Sequence, residues 1–526
     1  MNRRFKEILP EIQISYESLH TNTLGVDFGA RICHKDLRQI FLKARAEGLF
    51  LETITAVDYP KEGKLEVLYF LGNYYKLERI LLSIDVSRDD PVIDSVSDIF
   101  RGALWHERET SEFFGIKFKN IPDPRPLFLT DDLNGFPLRK DFEPGKLDPI
   151  GKSEPFIYEP SSEEKGVFVL NLGPQHPATH GVLRIILHMD GEYVLEADPI
   201  LGYGHRMQEK IAEGMTYGQV LPYTARMDYL SALHYNHAWV IAVERLCGIE
   251  VPERAEYIRV ITSELNRISS HLLWFGAFLL DLGAFTPFLH GFADREYILD
   301  LLEMVTGSRL TYCYFRFGGV LNDVDSVFLE KTMEFVAHLR GRLPAYHDLV
   351  TGNVIFEKRT KGVGVIDRDT AACYGVTGPC LRGSGVSFDI RRAFPYSIYS
   401  RFDFDIPVGE SGDCYSRYLV RMQEIEESLK IIEQAVKSIP KGEIRAKVPK
   451  IIRPPEGMVA ASVESSRGNL CIILISTGDK KPYRTKYRVP SFSNLSIFPR
   501  LARKELIADC LAILGSFDLV VPEIDR

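Results

Sequence analysis

Two histidines in a proline-rich segment are the first candidates for proton or ligand chemistry in this chain. Residues 171–184 read Asn-Leu-Gly-Pro-Gln-His-Pro-Ala-Thr-His-Gly-Val-Leu-Arg and include His176 and His180. Pro177 excludes a helix that would place both imidazoles on one face, and no nearby cysteine or carboxylate completes a metal site. Three interpretations remain: a metal site, two structural histidines, or a loop that handles a ligand or a proton. The proline-rich sequence around the two histidines favours the third interpretation, a loop that handles a ligand or a proton.

Three further residues are of chemical interest because of their predicted positions. Asp281 follows the apolar run 272–280, at the predicted C-terminal end of a helix, where the helix dipole disfavours a negative charge. Its carboxylate therefore needs a cationic or hydrogen-bonding partner, or it takes up a proton; alternatively, it is a surface aspartate that caps the next turn. Tyr229 and Arg226 share a predicted turn before another helix. Their alternative roles are a packed core tyrosine and a surface salt bridge.

Other kinds of site are missing from the sequence. It contains neither a Gly-x-Gly-x-x-Gly element between a strand and a helix nor a Walker element. We therefore expect no bound NADH or flavin. The eight cysteines are scattered, without a Cys-x-x-Cys pair, so we expect reduced thiols and no iron–sulfur cluster. If the chain serves a redox reaction, the electrons must arrive on a group that a partner holds.

Composition and charge limit the class of protein. The chain has 526 residues, of which 45% are apolar and 26% charged, as in ordinary globular proteins. A net charge of −8 argues against a general nucleic-acid binder. The N-terminus has basic residues but no apolar core behind them, which predicts no signal peptide. The longest apolar run is too short to cross a bilayer, so we expect no membrane-spanning segment.

The periodicity of apolar residues predicts an α+β fold for the first part of the chain. The predicted strands cover 51–57, 65–71 and 79–86, and the predicted helices cover 37–47, stopped by Gly48, and 91–103. The acidic segment 105–114 follows, and its simplest interpretation is a solvated helix face. Residues 143–165 are rich in proline and charge and predict an extended linker.

The second part is predicted to be mainly α, a helical bundle with small β elements. The predicted strands cover 167–172, 182–189, 192–197, 470–475 and 484–489, and the predicted helices cover 227–246, 252–279, 293–306, 325–339 and 415–436. Asp190 and Gly191 form a two-residue hairpin turn. The range 352–412, rich in glycine and aromatic residues, is predicted to form loops and short strands. The apolar seam along 258–279 is typical of a helix packed lengthwise in a bundle.

Several of these segments carry a family resemblance. The segment 171–184 is similar to the signature of the D subunit of the respiratory NADH–quinone oxidoreductases (complex I). Further segments with this similarity are 223–229, 258–267, 281–287, 316–320 and 490–495. Residues 105–115 (Trp-His-Glu-Arg-Glu-Thr-Ser-Glu-Phe-Phe-Gly) and 135–141 resemble the C subunit. The chain therefore resembles a fused C/D subunit over nearly its whole length.

The resemblance implies a domain organisation. It predicts an α+β docking domain like the C subunit at 1–142, a linker at 143–165 and a domain like the D subunit at 166–526. In the family, the segment matching 105–114 docks the first module onto its partners. The second domain would have the fold of the nickel–iron hydrogenase large subunit. Hydrogenases hold their metal with two Cys-x-x-Cys pairs, and this sequence has none, so no metal site is expected.

The resemblance also implies roles for individual residues. The matching tyrosine and histidine of the family, here Tyr229 and His180, bind the two carbonyl oxygens of a quinone. The counterpart of Asp281 lies beside that histidine, and these three are the expected catalytic residues. His176 joins His180 and Tyr229 as an expected quinone-binding residue. Arg226 and Thr311 are expected near the terminal iron–sulfur cluster of a partner, and Thr311 stands where the family usually has histidine.

The function expected from the resemblance is that of a peripheral-arm subunit of an H⁺-translocating NADH:quinone oxidoreductase. The expected partners are the iron–sulfur subunits (B-like and I-like), a G-like chain and the membrane subunit (H-like), on the cytoplasmic side of the cell inner membrane. The chain itself would bind no cofactor, and quinone would be a substrate. The alternatives are a non-catalytic scaffold of a hydrogenase-related membrane complex and, third, a catalytic hydrogenase subunit. The sequence leaves the electron donor open, and also whether the quinone is ubiquinone or menaquinone.

Overall fold

The computed structural model of the chain describes residues 16–18, 23–130, 133, 135–143 and 167–526. The predicted linker 143–165 lies outside the described residues except for its first residue. The described part has mixed α and β content, with most of its helices after residue 200. This agrees with the coarse prediction of an α+β part followed by a mainly helical part.

A five-stranded sheet organises the first part. The strands of the first part are β1 (Tyr16–Ser18), β2 (Thr23–Leu24), β3 (Phe28–Ile32), β4 (Leu49–Tyr59), β5 (Lys64–Asn73), β6 (Arg79–Ser87), β7 (Val92–Asp94) and β8 (Lys117–Lys119), and its α-helices are α1 (Leu37–Ala46) and α2 (Ala103–Phe114). The sheet order is β1-β3-β6-β5-β4, antiparallel except between β3 and β6. The three predicted strands and the helix before Gly48 are all present.

The predicted helix over 91–103 is wrong. Val92–Asp94 is a strand that pairs in parallel with Lys117–Lys119, and helix α2 begins only at Ala103. Ser95 Oγ and the backbone N–H of Val96 donate to the buried carboxylate of Glu107, at 2.6 and 2.7 Å, and hold this stretch in a turn. The apolar residues whose spacing predicted a helix are buried, but the backbone that carries them is a strand followed by turns.

The solvated-face interpretation of 105–114 is also wrong. Helix α2 is buried, including the charged side chains of Glu107 and Glu109, which are 0% and 2% exposed. Lys486 and Arg526, both from the second part of the chain, form salt bridges with Glu109. Glu109 of this helix therefore faces basic residues of the same chain, whereas Glu107 and Glu112 are held by hydroxyl and backbone N–H donors.

The second part consists of long helices and small sheets. Its strands are β9 (Val167–Leu172), β10 (Arg184–Asp190), β11 (Tyr193–Ile200), β12 (Phe315–Arg316), β13 (Gly319–Val320), β14 (Gly457–Ser465), β15 (Gly468–Ser476) and β16 (Arg484–Arg488). Its longer helices are α5 (Ala232–Cys247), α6 (Glu253–Asp281), α7 (Phe285–Thr306), α8 (Ser326–Tyr346) and α13 (Cys414–Ser438). Shorter helices are α3 (Gln208–Gly214), α4 (Tyr217–Thr224), α9 (Val354–Thr360), α10 (Arg368–Tyr374), α11 (Pro379–Gly383), α12 (Ile390–Ala393), α14 (Pro490–Leu495), α15 (Phe498–Ala502), α16 (Ile507–Ser516) and α17 (Val521–Asp525).

Helix α6 is the central helix of the bundle. Its predicted seam is buried along its whole length, from Ile258 to Leu279. Helices α7 and α13 pack along it. The predicted stops after α5 and α7 are correct, since Gly248 and Gly307 both adopt the left-handed conformation that ends a helix.

Three helix boundaries and one region differ from prediction, one of them being the end of α8, which lies at Tyr346 and not at 339. Helix α5 begins at Ala232, because the Asp228 carboxylate accepts the N–H groups of Leu230 and Ser231, at 3.1 Å each, and forms a turn first. Helix α7 begins eight residues earlier than the predicted 293. The range 352–412, which the structure describes completely, contains four short α-helices and no strand. Each spans at most two turns, too few to show a helical period.

The two parts of the chain form one continuous apolar core. The sheet of the first part also packs its other face against β14 and β15 in a smaller cluster, which consists of Val57, Leu68, Phe70, Leu81, Ala460, Cys471, Ile473 and Ile475. Strand β2 leaves its own part and pairs in parallel with β14. Among the described residues, no helix is both long and apolar enough to cross a membrane.

Candidate functional site

The loop that carries His180 joins β9 to β10 at the end of a three-stranded sheet. Its centre is a single turn of 3₁₀ helix, Pro177–Thr179. Thr179 is 1% exposed, and its hydroxyl lies 2.8 Å from the carbonyl oxygen of His176 and 2.9 Å from that of Gly181. His180 follows in the left-handed conformation, with φ of +54°. This backbone turns the His180 side chain away from the sheet and towards the end of α6.

His180 meets Asp281 at the C-terminal end of α6. Nε2 of His180 lies 2.5 Å from Oδ2 of Asp281, and the two side chains are only 19% and 13% exposed. The alternative of a surface aspartate that caps the next turn does not describe this residue. The imidazole is the cationic or hydrogen-bonding partner that a carboxylate at a helix C-terminus requires.

Helix α16 lies directly beside this pair. A Cβ atom at Gly515 would lie 3.5 Å from Oδ2 of Asp281 and 2.9 Å from the ring of Phe278. On the other side of the loop, a Cβ atom at Gly181 would lie 2.9 Å from the side chain of Val521. The two glycines therefore allow the chain segment 515–521 to pack closely against both His180 and Asp281.

Tyr229 lies in the turn that precedes α5. The turn is held by Asp228, whose Oδ2 accepts a hydrogen bond of 2.7 Å from Arg467. Tyr229 is half-buried, and burial raises the pKa of its phenol above the ordinary value. The phenol therefore keeps its proton near neutral pH and can donate a hydrogen bond.

A buried carboxylate–guanidinium–carboxylate group supports this turn. Arg467 is 0% exposed and donates to Asp228 and, over 3.2 Å, to Oδ1 of Asp518. Burial raises the pKa of Asp518 to about 6, and the positive charge of Arg467 opposes this shift. The charges of Arg467, Asp228 and Asp518 all act on Tyr229, and His180 acts on Asp518. Asp518 thus interacts electrostatically with both Tyr229 and His180.

The sequence analysis missed Arg467 and Asp518. Both lie far along the chain from Asp228, which is 239 residues from Arg467. The only local signal was an aspartate in an otherwise apolar tail, at 517–521. No spacing rule relates such distant residues.

Three of the predicted site residues lie outside this group. His176 is exposed at the rim of the loop and pairs through its backbone with Gly181. Arg226 is exposed, and its guanidinium donates to the carbonyl oxygen of Pro222 at 2.6 Å. Thr311 follows the far end of α7, whose 22 residues extend about 33 Å from the Asp281 end. It is half-buried and has a φ of +51°, unusual for a β-branched residue.

The surroundings of the site are apolar on one side. A cavity of about 310 Å³ lies next to the C-terminal end of α6 and is lined by Leu279, residues 282–287, Leu349, Val350, Asn353, Ile355, Phe356 and Arg359, but not by His180, Tyr229 or Asp281. Three larger cavities lie elsewhere: one of about 570 Å³ between α7 and α8, one of about 650 Å³ at the junction of α2, β11 and α15, and one of about 460 Å³ between α1 and α10. In the part of the chain that the structure describes, no three His, Cys, Asp or Glu side chains are grouped to hold a metal ion.

Comparison with known proteins follows the two parts of the chain. Residues 31–147 match the family described as respiratory-chain NADH dehydrogenase, 30 Kd subunit, and residues 281–526 match the 49 Kd subunit. A relative from Phocaeicola vulgatus, named as the C/D subunit of an NADH-quinone oxidoreductase, is 45% identical over 98% of this chain and 99% of its own length.

Relatives that correspond to the second part alone are more similar. The D subunit of the NADH-quinone oxidoreductase of Desulfotalea psychrophila is 56% identical over 71% of this chain and all of its own length. A relative from Opitutus terrae, named as a second D subunit of the same kind of enzyme, is 58% identical over 68% of this chain and 90% of its own length. The similarity to the C/D protein continues through the first part as well.

Proposed function

The chain belongs to the family of fused C/D subunits of the NADH-quinone oxidoreductases, and on this premise we propose that it forms the quinone head-group site of the complex. As a member of this family it is a peripheral-arm subunit of respiratory complex I, an NADH:quinone oxidoreductase. The proposal concerns which residues act on the quinone and how they do so.

The contact between His180 and Asp281 carries the proposal. A carboxylate 2.5 Å from the imidazole stabilises its protonated form and orients the ring. Reduction of a quinone to a quinol takes up two electrons and two protons, and negative charge builds on the two carbonyl oxygens. A protonated imidazole and a neutral phenol can each donate a hydrogen bond to one oxygen and then a proton. In this proposal, His180 and Tyr229 are the two donors, and Asp281 holds the proton on His180.

The largely apolar cavity at the C-terminal end of α6 supports a ligand with an apolar tail, although its lining includes Arg359 and none of the three proposed catalytic residues. Its lining residues include Leu282 and Phe356, which suit a hydrocarbon ring substituent or tail. His176, exposed at the rim of the His180 loop, would contact the quinone from outside. Arg226 would face the partner's terminal iron–sulfur cluster from its exposed position, and Thr311 would approach the cluster from its own turn.

The electrons come from outside the chain in this proposal. The chain would hold no resident cofactor, and the terminal cluster would belong to a B-like partner. The further partners would be I-like and G-like chains and an H-like membrane subunit. Membership of complex I and the lack of a membrane-spanning helix among the described residues fit a peripheral association. The inner membrane and its cytoplasmic side are part of the proposal, as is a hydrogenase-large-subunit-like fold for 166–526.

A scaffold without a quinone role is not favoured. The full-length relative is named as part of an NADH-quinone oxidoreductase. A scaffold also gives no physical reason for a buried His–Asp pair beside a half-buried tyrosine.

The test compares two electron acceptors in the assembled complex. His180→Ala and Tyr229→Phe should reduce quinone reductase activity strongly, while transfer to an artificial acceptor upstream of the terminal cluster stays normal. His188→Ala and Tyr193→Phe are matched controls on the same small sheet, at β10 and β11, and should leave both activities intact. Equal loss of both activities in the site variants would show that His180 and Tyr229 are structural.

A further inference from the structure

The turn after α16 places a buried carboxylate against the site from a third direction. Asp518 is 4% exposed and has a φ of +58°. It lies within the segment 515–521, whose Gly515 borders Asp281 and whose Val521 borders the His180 loop. Asp518 therefore lies on a short segment that contacts, at its two ends, both elements that form the His180–Asp281 contact.

The hydrogen bonds of Asp518 are incomplete within the described residues. Its Oδ1 accepts from Arg467, whereas its Oδ2 is buried and has no hydrogen-bond partner there. A buried carboxylate oxygen without a donor is costly. The neighbouring aspartate, Asp228, is fully bonded by comparison: Oδ1 accepts two backbone N–H groups, and Oδ2 accepts from Arg467.

We propose that Asp518 is a third protonatable group of the head-group site and that its carboxylate, held by Arg467, helps to keep His180 protonated. The inference rests on the proposed function, because it assigns Asp518 a task in the same proton transfer. Asp518 acts through His180 and is therefore a positioning residue.

The charges around Asp518 decide the direction of the effect. Arg467 lies in the turn between β14 and β15, Arg421 on α13, Asp228 before α5 and His180 on the β9–β10 loop. Other titratable groups that interact with Asp518, or with Arg467 beside it, are Tyr229, Tyr235, Cys380 and Glu523. Arg467 and Arg421 together balance Asp228 and Asp518 only when both aspartates are ionised, so ionisation of Asp518 adds one negative charge to a group that is otherwise net positive. This charge favours the protonated form of His180 and disfavours ionisation of Tyr229. Both hydrogen-bond donors therefore keep their protons.

The coupling must act in both directions. Burial raises the pKa of Asp518 to about 6, and a protonated His180 lowers it. By linkage, an ionised Asp518 stabilises the protonated imidazole to the same extent. At neutral pH the carboxylate form predominates and supports His180; below about 6 it takes up a proton and the support is lost.

The first experiment measures the pH profile of quinone reduction by the assembled complex. In Asp518→Asn, the half-maximal point of the alkaline limb should move roughly 0.5–1 pH unit lower, because one negative charge beside His180 is removed. Asparagine tolerates the left-handed backbone well, so the variant should fold. Electron transfer to the upstream artificial acceptor reports the amount of intact complex.

Asp413→Asn is the matched control. Asp413 is also 4% exposed, but it caps α13, and backbone N–H groups of Ser416 and Gly362 bond its two oxygens. This variant should lower stability and leave the pH profile unchanged. An unshifted profile in Asp518→Asn, or an equal shift in Asp413→Asn, overturns the inference.

A second experiment needs no quinone. Infrared difference spectra of the full chain between acidic and neutral pH should contain a carboxylic-acid band that titrates near 6 and is missing in Asp518→Asn. In His180→Ala this band should titrate at higher pH, because a positive neighbour has been removed. If the band does not move, the inference fails, whatever the activity of the complex. If it moves but His180→Ala leaves quinone reduction intact, the coupling stands and the proposed function fails.

Discussion

His180 and Asp281 are 101 residues apart in the chain and lie 2.5 Å from each other in the fold. One residue ends a short loop between two strands, and the other ends the central helix of the bundle. The pair thus connects the small sheet to the helical bundle. Its strength should influence both the chemistry of the site and the position of the loop.

Removing the negative charge from this pair tests its role directly. In Asp281→Asn, quinone reduction by the assembled complex should fall roughly 100-fold, the scale of a lost acid–base contribution. The amide cannot stabilise an imidazolium in the way that a carboxylate does. Reduction of the upstream acceptor should be unchanged. Asp190→Asn, at the exposed hairpin turn, is the control; if the two variants behave alike, the contact is incidental.

Glu109 tests the buried charges between the two parts of the chain. Glu109→Gln leaves Lys486 and Arg526 with only the longer contacts to Glu209, at 3.5 and 4.0 Å, and breaking a buried pair costs up to about 3–5 kcal/mol. The free energy of unfolding from denaturant titration should fall by that amount. Glu192→Gln, on an exposed turn, should change it by less than about 0.5 kcal/mol. A Glu109→Gln protein as stable as the wild type would contradict this account.

Glu107 predicts a pH dependence of stability. Burial raises its pKa to about 8 in the folded chain, against an ordinary value of 4.5. The folded chain therefore keeps a proton on Glu107 that the unfolded chain loses. The contribution of Glu107 to the free energy of unfolding is complete below about pH 4.5 and is lost as the pH rises to about 8. Between pH 4.5 and pH 8 the free energy of unfolding of the wild type should fall by up to about 4 kcal/mol because of this group. Glu107→Gln should not show this fall.

The measurement is the midpoint of chemical unfolding at several pH values across that window. Glu330→Gln, an exposed residue on α8, serves as the control and should follow the wild-type curve. If the stability of Glu107→Gln falls with rising pH as much as that of the wild type, the pH dependence comes from other buried carboxyl groups.

The proposed position of Thr311 beside a partner's terminal iron–sulfur cluster leads to a prediction about the redox potential of that cluster. Threonine has no proton to exchange near neutral pH, so we expect a low and nearly pH-independent potential, suited to a low-potential quinone such as a menaquinone. Thr311→His should introduce a slope approaching about 59 mV per pH unit for one electron coupled to one proton. Redox titration between about pH 6 and 8, where histidine titrates, provides the measurement.

Thr311→Asn separates this effect from a change in the backbone. Both histidine and asparagine tolerate a positive φ better than threonine, and Thr311 has a φ of +51°. Both variants should therefore be slightly more stable than wild type, but only the histidine variant should acquire the slope. A wild-type cluster that already shows the slope would refute the prediction.

The proposed absence of a resident cofactor has a simple test. Elemental analysis of the purified chain should find no stoichiometric nickel or iron, since the sequence contains no Cys-x-x-Cys pair. A zinc-loaded Cys-x-x-Cys protein of similar size provides the positive control. Stoichiometric nickel or iron would revive the hydrogenase interpretation.

Local patterns predicted much of the fold because their causes are local. Gly248 and Gly307 end their helices, and the apolar seam of α6 is buried as its period predicted. The Asp190–Gly191 turn joins β10 to β11. In each case, neighbours within a few residues decide the backbone conformation.

Local patterns failed where long-range packing replaced the local preference. The apolar residues between 91 and 103 are buried in a strand and turns, because Glu107 binds that stretch and β8 pairs with it. Glu109 of the acidic helix α2 is buried, because Lys486, 377 positions later in the chain, pairs with it. Neither partner could be identified from the segment itself.

The sequence by itself determined the long helices, about half of the strands and the order of the two parts, and through its family motifs it suggested the proposed site residues His180, Tyr229 and Asp281. Only the tertiary structure decided that His180 and Asp281 touch, that Thr311 lies at the other end of α7, and that Arg467 holds Asp228 and Asp518. The physical reason is the range of the interactions. Backbone preferences act within one or two turns, whereas the field at a buried site is the sum of charges that the complete packing brings together.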